Sequence, residues 1–387
     1  MLGSPSTLTS VCKAVPRLGS VSGPTFKERE ALVGLFGKKK GLVGLDIGSS
    51  AVKAVELKSG GKAGAEYQLV NVGMETLPPE AIVDGAIMDS GAVIEAIQRV
   101  FSAQKIKTND VATAVSGNAV IVKKISLPQM STEELAESIH WEAEQYIPFD
   151  IQDVALDYEV IEGGGTGGNM DVLLVAVKKD KISDYTSVIT QAGKTPRIVD
   201  VDVFALQNCY EVNYGADSGR VVALLNLGAA ITNVNIIRGT NSLFNRDIAV
   251  GGNLATDALQ KDLGLPYETA EALKRGEQVE GTLPDNVFPV LQSTAENIVS
   301  EIQKTFDFFK ATTQEERIDQ VFLAGGSARL QGLRELLTER LDTQVEVLNP
   351  FNAVTYSPKD VDADIVNQMG PAAAIAVGLA VRKVGDR

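Results

Sequence analysis

The chain has 387 residues, enough for two or three domains, and its 44% hydrophobic and 22% charged residues describe a globular protein with ample core material. Lys+Arg 36 against Asp+Glu 50 leaves a net charge of −14, which disfavours long nucleic-acid tracks and a broad anionic membrane face. A single histidine, His140, and two cysteines, Cys12 and Cys209, exclude His-rich metal sites, zinc ribbons and a disulfide framework.

Residues 1–40 scatter Ser, Pro and Gly and hold no unbroken apolar stretch of the secretory kind, so they read as a flexible tail. Glu28–Phe36, ahead of Lys38, Lys39 and Lys40, also suits a short amphipathic helix touching a membrane or a partner. Order is expected from Gly41. Leu42–Ile47 reads as a strand, Gly48, Ser49 and Ser50 as a tight turn, and Ala51–Leu57 as the returning strand. A third strand is expected over Tyr67–Leu77, a helix over Ser90–Gln104 with Val93, Ile97 and Val100 on one face, and a strand over Asp110–Ser116.

The next segment has a different texture. Val120–Leu127 reads as a strand, Ser131 and Glu134 form a capping box, and the helix they open ends near Tyr146, before Pro148. Strands over Val154–Ile161 and Asp171–Val177 and a helix over Lys181–Ala192 complete a small α+β unit. His140 on its first helix reads as a packing or solvated residue. After Pro196 the opening pattern returns. Residues 45–57 align on 225–237 without a gap, each pair 180 positions apart, which points to a duplicated domain. A third glycine turn, Gly325 and Gly326, follows the strand that starts at Val321, and a helix runs on through Leu341. No stretch reaches the roughly 18 to 20 apolar residues of a membrane-crossing helix; the best, Pro371–Val381, is short and diluted by Ala and Gly, so no transmembrane segment is expected.

Turns of Gly and Ser present backbone N–H groups without obstruction, and two such hairpins facing each other suit a polyphosphate. Asp46, at a strand end, is placed to hold Mg²⁺, chiefly through water, and Lys53 to aim a cation at β- and γ-phosphates. Gly325 and Gly326 let a base or ribose approach the backbone at a helix start.

These motifs, in this order, resemble the actin, sugar-kinase and heat-shock-chaperone ATPase superfamily. Asp46, Gly48, Ser49, Ser50 and Lys53 match its first phosphate motif, Val201–Leu206 its connecting motif, Asn226, Gly228, Ala229 and Thr232 its second phosphate motif, and Gly325, Gly326 and Ser327 its adenosine motif. The resemblance implies an α/β fold: a duplicated actin-like, ribonuclease H-like two-lobe ATPase with ATP or ADP and Mg²⁺ between the lobes. It implies Asp46 and Asp202 as catalytic carboxylates near the metal, and adds Gly251, Gly252, Glu301 and Lys304 to the nucleotide-binding residues, the last two toward ribose and base. One departure stands out. Relatives usually carry Asp where this chain has Asn226, so hydrolysis is expected to be slow or absent.

The place and size of the inserted α+β unit are FtsA-like. Leu42–Leu57, Glu142–Phe149, Phe244–Gly252 and Glu301–Phe309 are similar to the PilM family of type IV pilus assembly proteins, over Phe36 to about Arg382. The resemblance implies a tail at 1–40, a first lobe at 41–119 and 197–220, an insert at 120–196, and a second lobe at 221–387 whose C-terminal helix returns to the first. It also implies an adaptor in pilus assembly and twitching motility. Such an adaptor lies in the cytoplasm against the inner membrane. It binds the cytoplasmic N-terminal peptide of a PilN-like protein and contacts the pilus assembly ATPase and platform protein, with no nucleic acid. Tyr146, Ile147 and Phe149 either line that peptide's groove or anchor a loop on the core. A small-molecule kinase and an FtsA-like filament-forming ATPase are the alternatives on the same fold.

Overall fold

The computed structural model describes residues 41–60, 66–161, 167–313, 317–359 and 361–385; the expected tail and amphipathic segment lie outside the described residues. The first lobe contains the strands Val43–Ile47 (β1), Ala51–Ser59 (β2) and Tyr67–Thr76 (β3), the short pair Ile82–Val83 (β4) and Ala86–Ile87 (β5), helix Ser90–Ala103 (α1) and strand Asp110–Val115 (β6). Strand alternation sets its layers. Val43, Leu45 and Ile47 enter a core shared with Val93, Ile97 and Val100 of α1, while Gly44 faces the other way.

The inserted unit comprises Val120–Pro128 (β7), helix Thr132–Glu144 (α2), Val154–Val160 (β8) and Asn169–Lys178 (β9). Helix Lys179–Gln191 (α3), expected to complete it, instead buries Tyr185, Val188 and Ile189 in the first-lobe core with Val93 and Ile97, so the insert ends with β9 and not at residue 196. Its sheet has the order β7-β9-β8, entirely antiparallel. The capping box is present: the Glu134 N–H donates to Ser131 Oγ, and the Ser131 N–H donates to the Glu134 carboxylate. Leu135, Ile139 and Ala143, four residues apart, seat α2 on this sheet, and its opposite side leaves His140 and Trp141 exposed.

Strand Thr195–Val201 (β10) and helix Asp202–Tyr214 (α4) lead to the second lobe: Val221–Leu227 (β11), Thr232–Arg238 (β12), Asn241–Ile248 (β13), helices Asn253–Leu263 (α5), Tyr267–Lys274 (α6) and Pro284–Thr312 (α7), and strand Gln320–Ala324 (β14). Helix Leu333–Leu341 (α8), strands Gln344–Val347 (β15) and Val354–Thr355 (β16), and helices Ala363–Met369 (α9) and Ala374–Ala380 (α10) finish the described chain. Helix α7 begins at Pro284, a residue that fits the first helical turn, where a missing N–H costs nothing.

The duplication is visible in the topology. The first sheet runs β10-β6-β1-β2-β3-β16 and the second β13-β12-β11-β14-β15, so β3-β2-β1-β6-β10 repeats as β13-β12-β11-β14-β15, antiparallel within each hairpin set and parallel beyond it. Helices α4 and α10 lie between the sheets, and one core cluster joins Leu42 and Val55 of the first sheet to Val222, Leu224 and Phe322 of the second through Ala205, Leu206, Cys209 and Tyr210. Close approach there needs glycine: a Cβ on Gly378 of α10 would collide with the Ala205 carbonyl, and one on Gly44 with the Ala376 carbonyl. The C-terminal helix thus packs against β1 and α4 of the first lobe.

Candidate functional site

The first hairpin turn is closed by the Gly48 N–H donating to the Ala51 carbonyl at 3.1 Å, and the second by Gly228 N–H to the Ile231 carbonyl at 2.9 Å, the same bond 180 positions on. Between them opens a cleft of about 1110 Å³. Its walls include Asp46, Gly48, Ser49, Ser50 and Lys53 from the first hairpin, Asn226, Gly228 and Ala229 from the second, Gly325, Gly326 and Ser327 after β14, and Asp202 at the start of α4. Gly325 has φ 90°, a left-handed backbone, and a Cβ there would strike the Leu227 carbonyl, so the turn that brings β14 against β11 requires glycine.

Each hairpin carries one directly opposed polar pair. Asp46 faces Lys53 in the β1–β2 register, and Lys53 Nζ donates to Asp46 Oδ2 at 3.0 Å. In the β11–β12 register Asn226 faces Asn233, and Asn226 Nδ2 donates to Asn233 Oδ1 at 2.8 Å. An ion pair in one lobe is therefore matched by a neutral amide pair in the other. Asn233 Nδ2 in turn donates to Asp247 Oδ1 at 2.8 Å, and Asp247 Oδ2 accepts the Gly117 N–H of the first lobe at 2.6 Å.

Asp202 is pushed up to about 7, first by burial and next by the negative charge of Asp46; the Ser116 hydroxyl and the Lys181 ammonium pull the other way. Burial also raises Asp247, against its bonds from Asn233 and Gly117. Burial lowers the Lys181 ammonium, against the attraction of Asp202. Acidic groups with low-dielectric walls at one end of a cleft favour an arriving cation. Among the described residues no cluster of three His, Cys, Asp or Glu side chains is disposed to hold a metal on its own. Any Mg²⁺ would rely on phosphate oxygens and water, with Asp46 and Asp202 as outer partners.

Other residues expected at the site fall elsewhere. Thr232, Gly251 and Gly252 stand behind the second hairpin: Thr232 Oγ1 donates to the Val250 carbonyl at 2.7 Å and the Gly252 N–H to the Gly228 carbonyl at 3.0 Å. Glu301 and Lys304 are not in the cleft wall; they form an exposed ion pair of 2.6 Å on α7. The same spacing occurs on α6, where Glu271 and Lys274 line the cleft, paired with each other and with Thr256. Glu-x-x-Lys by itself did not distinguish the two helices, because packing decides which helix faces the cleft. Ile147 is buried in the insert's own core, with Tyr146 and Phe149 half-buried against it under Lys123 and Lys178, whose ammonium groups stand 5.1 and 4.4 Å from the ring centres. The sequence reading missed Asn233, Asp247, Lys181 and Glu271; the 180-residue spacing alone would have matched Asn233 to Lys53.

Two repeated sheets with glycine hairpins across a cleft define the actin-like ATPase fold. The family model described as Type IV pilus assembly protein PilM matches residues 44–384, and the chain belongs to that family. It is similar to a solved chain of a PilM–PilN type IV pilus biogenesis complex, at 28% identity and TM-score 0.79 over 90% of this chain and 99% of that one. The cell division protein FtsA of Escherichia coli (strain K12) is 22% identical over 366 residues, covering 81% of this chain and 85% of FtsA. The fold extends to the ethanolamine utilization protein EutJ from Carboxydothermus hydrogenoformans, at 13% identity and TM-score 0.53, over 89% of this chain and 90% of EutJ. No helix among the described residues is long and apolar enough to cross a membrane.

Proposed function

We propose that this chain is a nucleotide-bound adaptor of type IV pilus assembly. ATP or ADP with Mg²⁺ sits between the lobes and fixes their angle, and that angle presents a groove beside the insert to the cytoplasmic N-terminal peptide of a PilN-like inner-membrane protein. The adaptor works at the inner face of that membrane and links the peptide's owner to the pilus motor. The observation that carries the reading is the opposed pair of glycine hairpins, one charged and one made of amides, on a chain similar to that of a PilM–PilN complex. Backbone N–H groups of both turns and Lys53 would hold phosphates, Glu271 and Lys274 the ribose and base end, and Tyr146 and Phe149 the peptide.

Titration calorimetry on the full chain tests this, first with Mg·ATP and Mg·ADP, then with a synthetic PilN-type N-terminal peptide. At a free concentration of about 100 times its dissociation constant, the nucleotide is expected to stabilise the fold by about 2.7 kcal/mol. Asp46→Ala weakens the metal-dependent part, Glu271→Ala weakens binding where Glu301→Ala does not, and Phe149→Ala weakens the peptide. A chain that takes up neither nucleotide overturns the reading.

Turnover is expected to be slow, because Asn226 and Asn233 place neutral amides where a carboxylate would orient hydrated metal and attacking water. Single-turnover assays should show hydrolysis far below the ~1 to 100 s⁻¹ of typical kinases, with Asn226→Asp faster than the parent. Rapid turnover by the parent chain would point to the kinase alternative.

A further inference from the structure

The insert joins the first lobe by two crossings, and both are held by groups of the cleft. The incoming one leaves β6 at Ser116 and Gly117. The Ser116 hydroxyl bonds to Asp202, and the Gly117 N–H, on a residue with φ 86°, donates to Asp247 of the second lobe at 2.6 Å. Asp247 is itself held by Asn233, which is bonded to Asn226 of the second hairpin. The outgoing crossing is the junction of β9, the central strand of the insert, with α3, which starts at the very next residue. From α3, Lys181 Nζ and Tyr185 Oη both donate to the Gly85 carbonyl, the latter at 3.1 Å. Gly85 and Tyr185 line the cleft near Asp202. Gly85 lies in a stretch of unusual backbone, with φ of 62° at Glu80, 49° at Asp84 and 76° at Gly85. A side chain longer than hydrogen at Gly85 would stand 2.7 Å from Lys181 Nζ, so the ammonium is seated directly against the main chain.

Lys181 Nζ also donates to Tyr185 Oη at 3.4 Å, so the two buried donors and the Gly85 carbonyl form one cluster, and separating it from the carbonyl costs two buried hydrogen bonds together. A shift of the second lobe toward the first therefore carries Asp247, and with it Gly117. A shift of the Asp202 end of the cleft acts on Lys181 and hence on α3 and β9.

We propose that these crossings are the joint through which occupancy of the cleft reaches the insert, with Asp247 and Gly117 forming one hinge and Lys181, Tyr185 and Gly85 the other. The proposal rests on the reading of the cleft as a nucleotide site and deepens it, assigning residues that touch neither phosphate nor peptide to the coupling between them. A ligand moves such an equilibrium only by its different affinity for the two arrangements, and coupling between sites usually spans about 5- to 150-fold.

Hydrogen exchange read by mass spectrometry, with and without saturating Mg·ATP, tests it on the full chain. In the parent, exchange should slow by about fivefold or more both in the hairpins at 46–53 and 226–233 and in the insert strands at 120–128 and 169–178. In Lys181→Met and in Asp247→Ala the hairpins should still respond while the insert response falls to within experimental error. Tyr185→Phe, which deletes one hydroxyl, should give an intermediate loss and keeps the test open if either stronger variant does not fold. An insert response that survives in all three variants overturns the proposal, as does a parent whose hairpins respond and whose insert does not; in both cases the nucleotide site stands. Hairpins that do not respond in the parent sink the nucleotide reading and the coupling with it.

Discussion

Arg382→Met should destabilise the fold by about 3 to 5 kcal/mol, the usual result of stripping the partner from a buried charge. Arg382 Nη1 donates to Asp200 Oδ2 at 2.8 Å, with the carboxylate fully buried and the guanidinium nearly so. Burial raises Asp200 above the ordinary carboxylate range, while the Arg382 charge and the Val201 N–H hold it down. Without the arginine only the Val201 bond opposes burial, so the acid rises further. A carboxyl raised in the folded state keeps its proton there and gives it up on unfolding. Rising pH therefore favours unfolding across the interval between the two values. The loss caused by Arg382→Met should accordingly be larger at pH 7.5 than at pH 4.5 in urea melts. Asp200→Asn combined with Arg382→Met should recover part of it, because a buried amide is cheaper than an unpaired anion. A variant as stable as the parent at pH 7.5 would show that the pair contributes nothing to the seating of the C-terminal helix.

Asp202→Asn should do the opposite and stabilise the chain in the absence of ligand. Asp202 stands two residues from Asp200 yet faces the cleft, where burial first, and then the negative charge of Asp46 and Asp247, push it up to about 7. Keeping that group ionised at pH 8 costs on the order of 4 kcal/mol, at about 1.4 kcal/mol for each pH unit of displacement. The sign again follows from a raised value: stability is intact near pH 4, falls as pH climbs toward 7, and is level above it. Asp202→Asn removes the slope, so the gain should be absent at pH 4 and full at pH 8, measured by urea unfolding. Mg·ATP should stabilise the variant less than the parent, since the parent's unfavourable charge is what a bound cation relieves. Equal stability at both pH values would remove the electrostatic account of the cleft floor.

Local pattern carried the element list: alternation marked β1, β2 and β11, and Ser131 with Glu134 marked the start of α2, because each depends on residues within one turn or one strand. The 180-residue recurrence fixed the duplication, and the glycine turns follow from it, since a backbone that must turn tightly or pass close to another leaves few residue choices. Contacts far apart in sequence were not legible. The Asp200–Arg382 pair spans 182 positions and the Gly117–Asp247 bond 130, and no periodicity reports such meetings. Nor could spacing choose between Glu271–Lys274 and Glu301–Lys304, two pairs with the same separation, of which only the first faces the cleft. The opposite surroundings of Asp200 and Asp202 make the division plain. The sequence shows two aspartates at the end of a strand; the tertiary structure gives one a buried cation and the other two like charges, because a carboxylate's energy depends on what surrounds it in space.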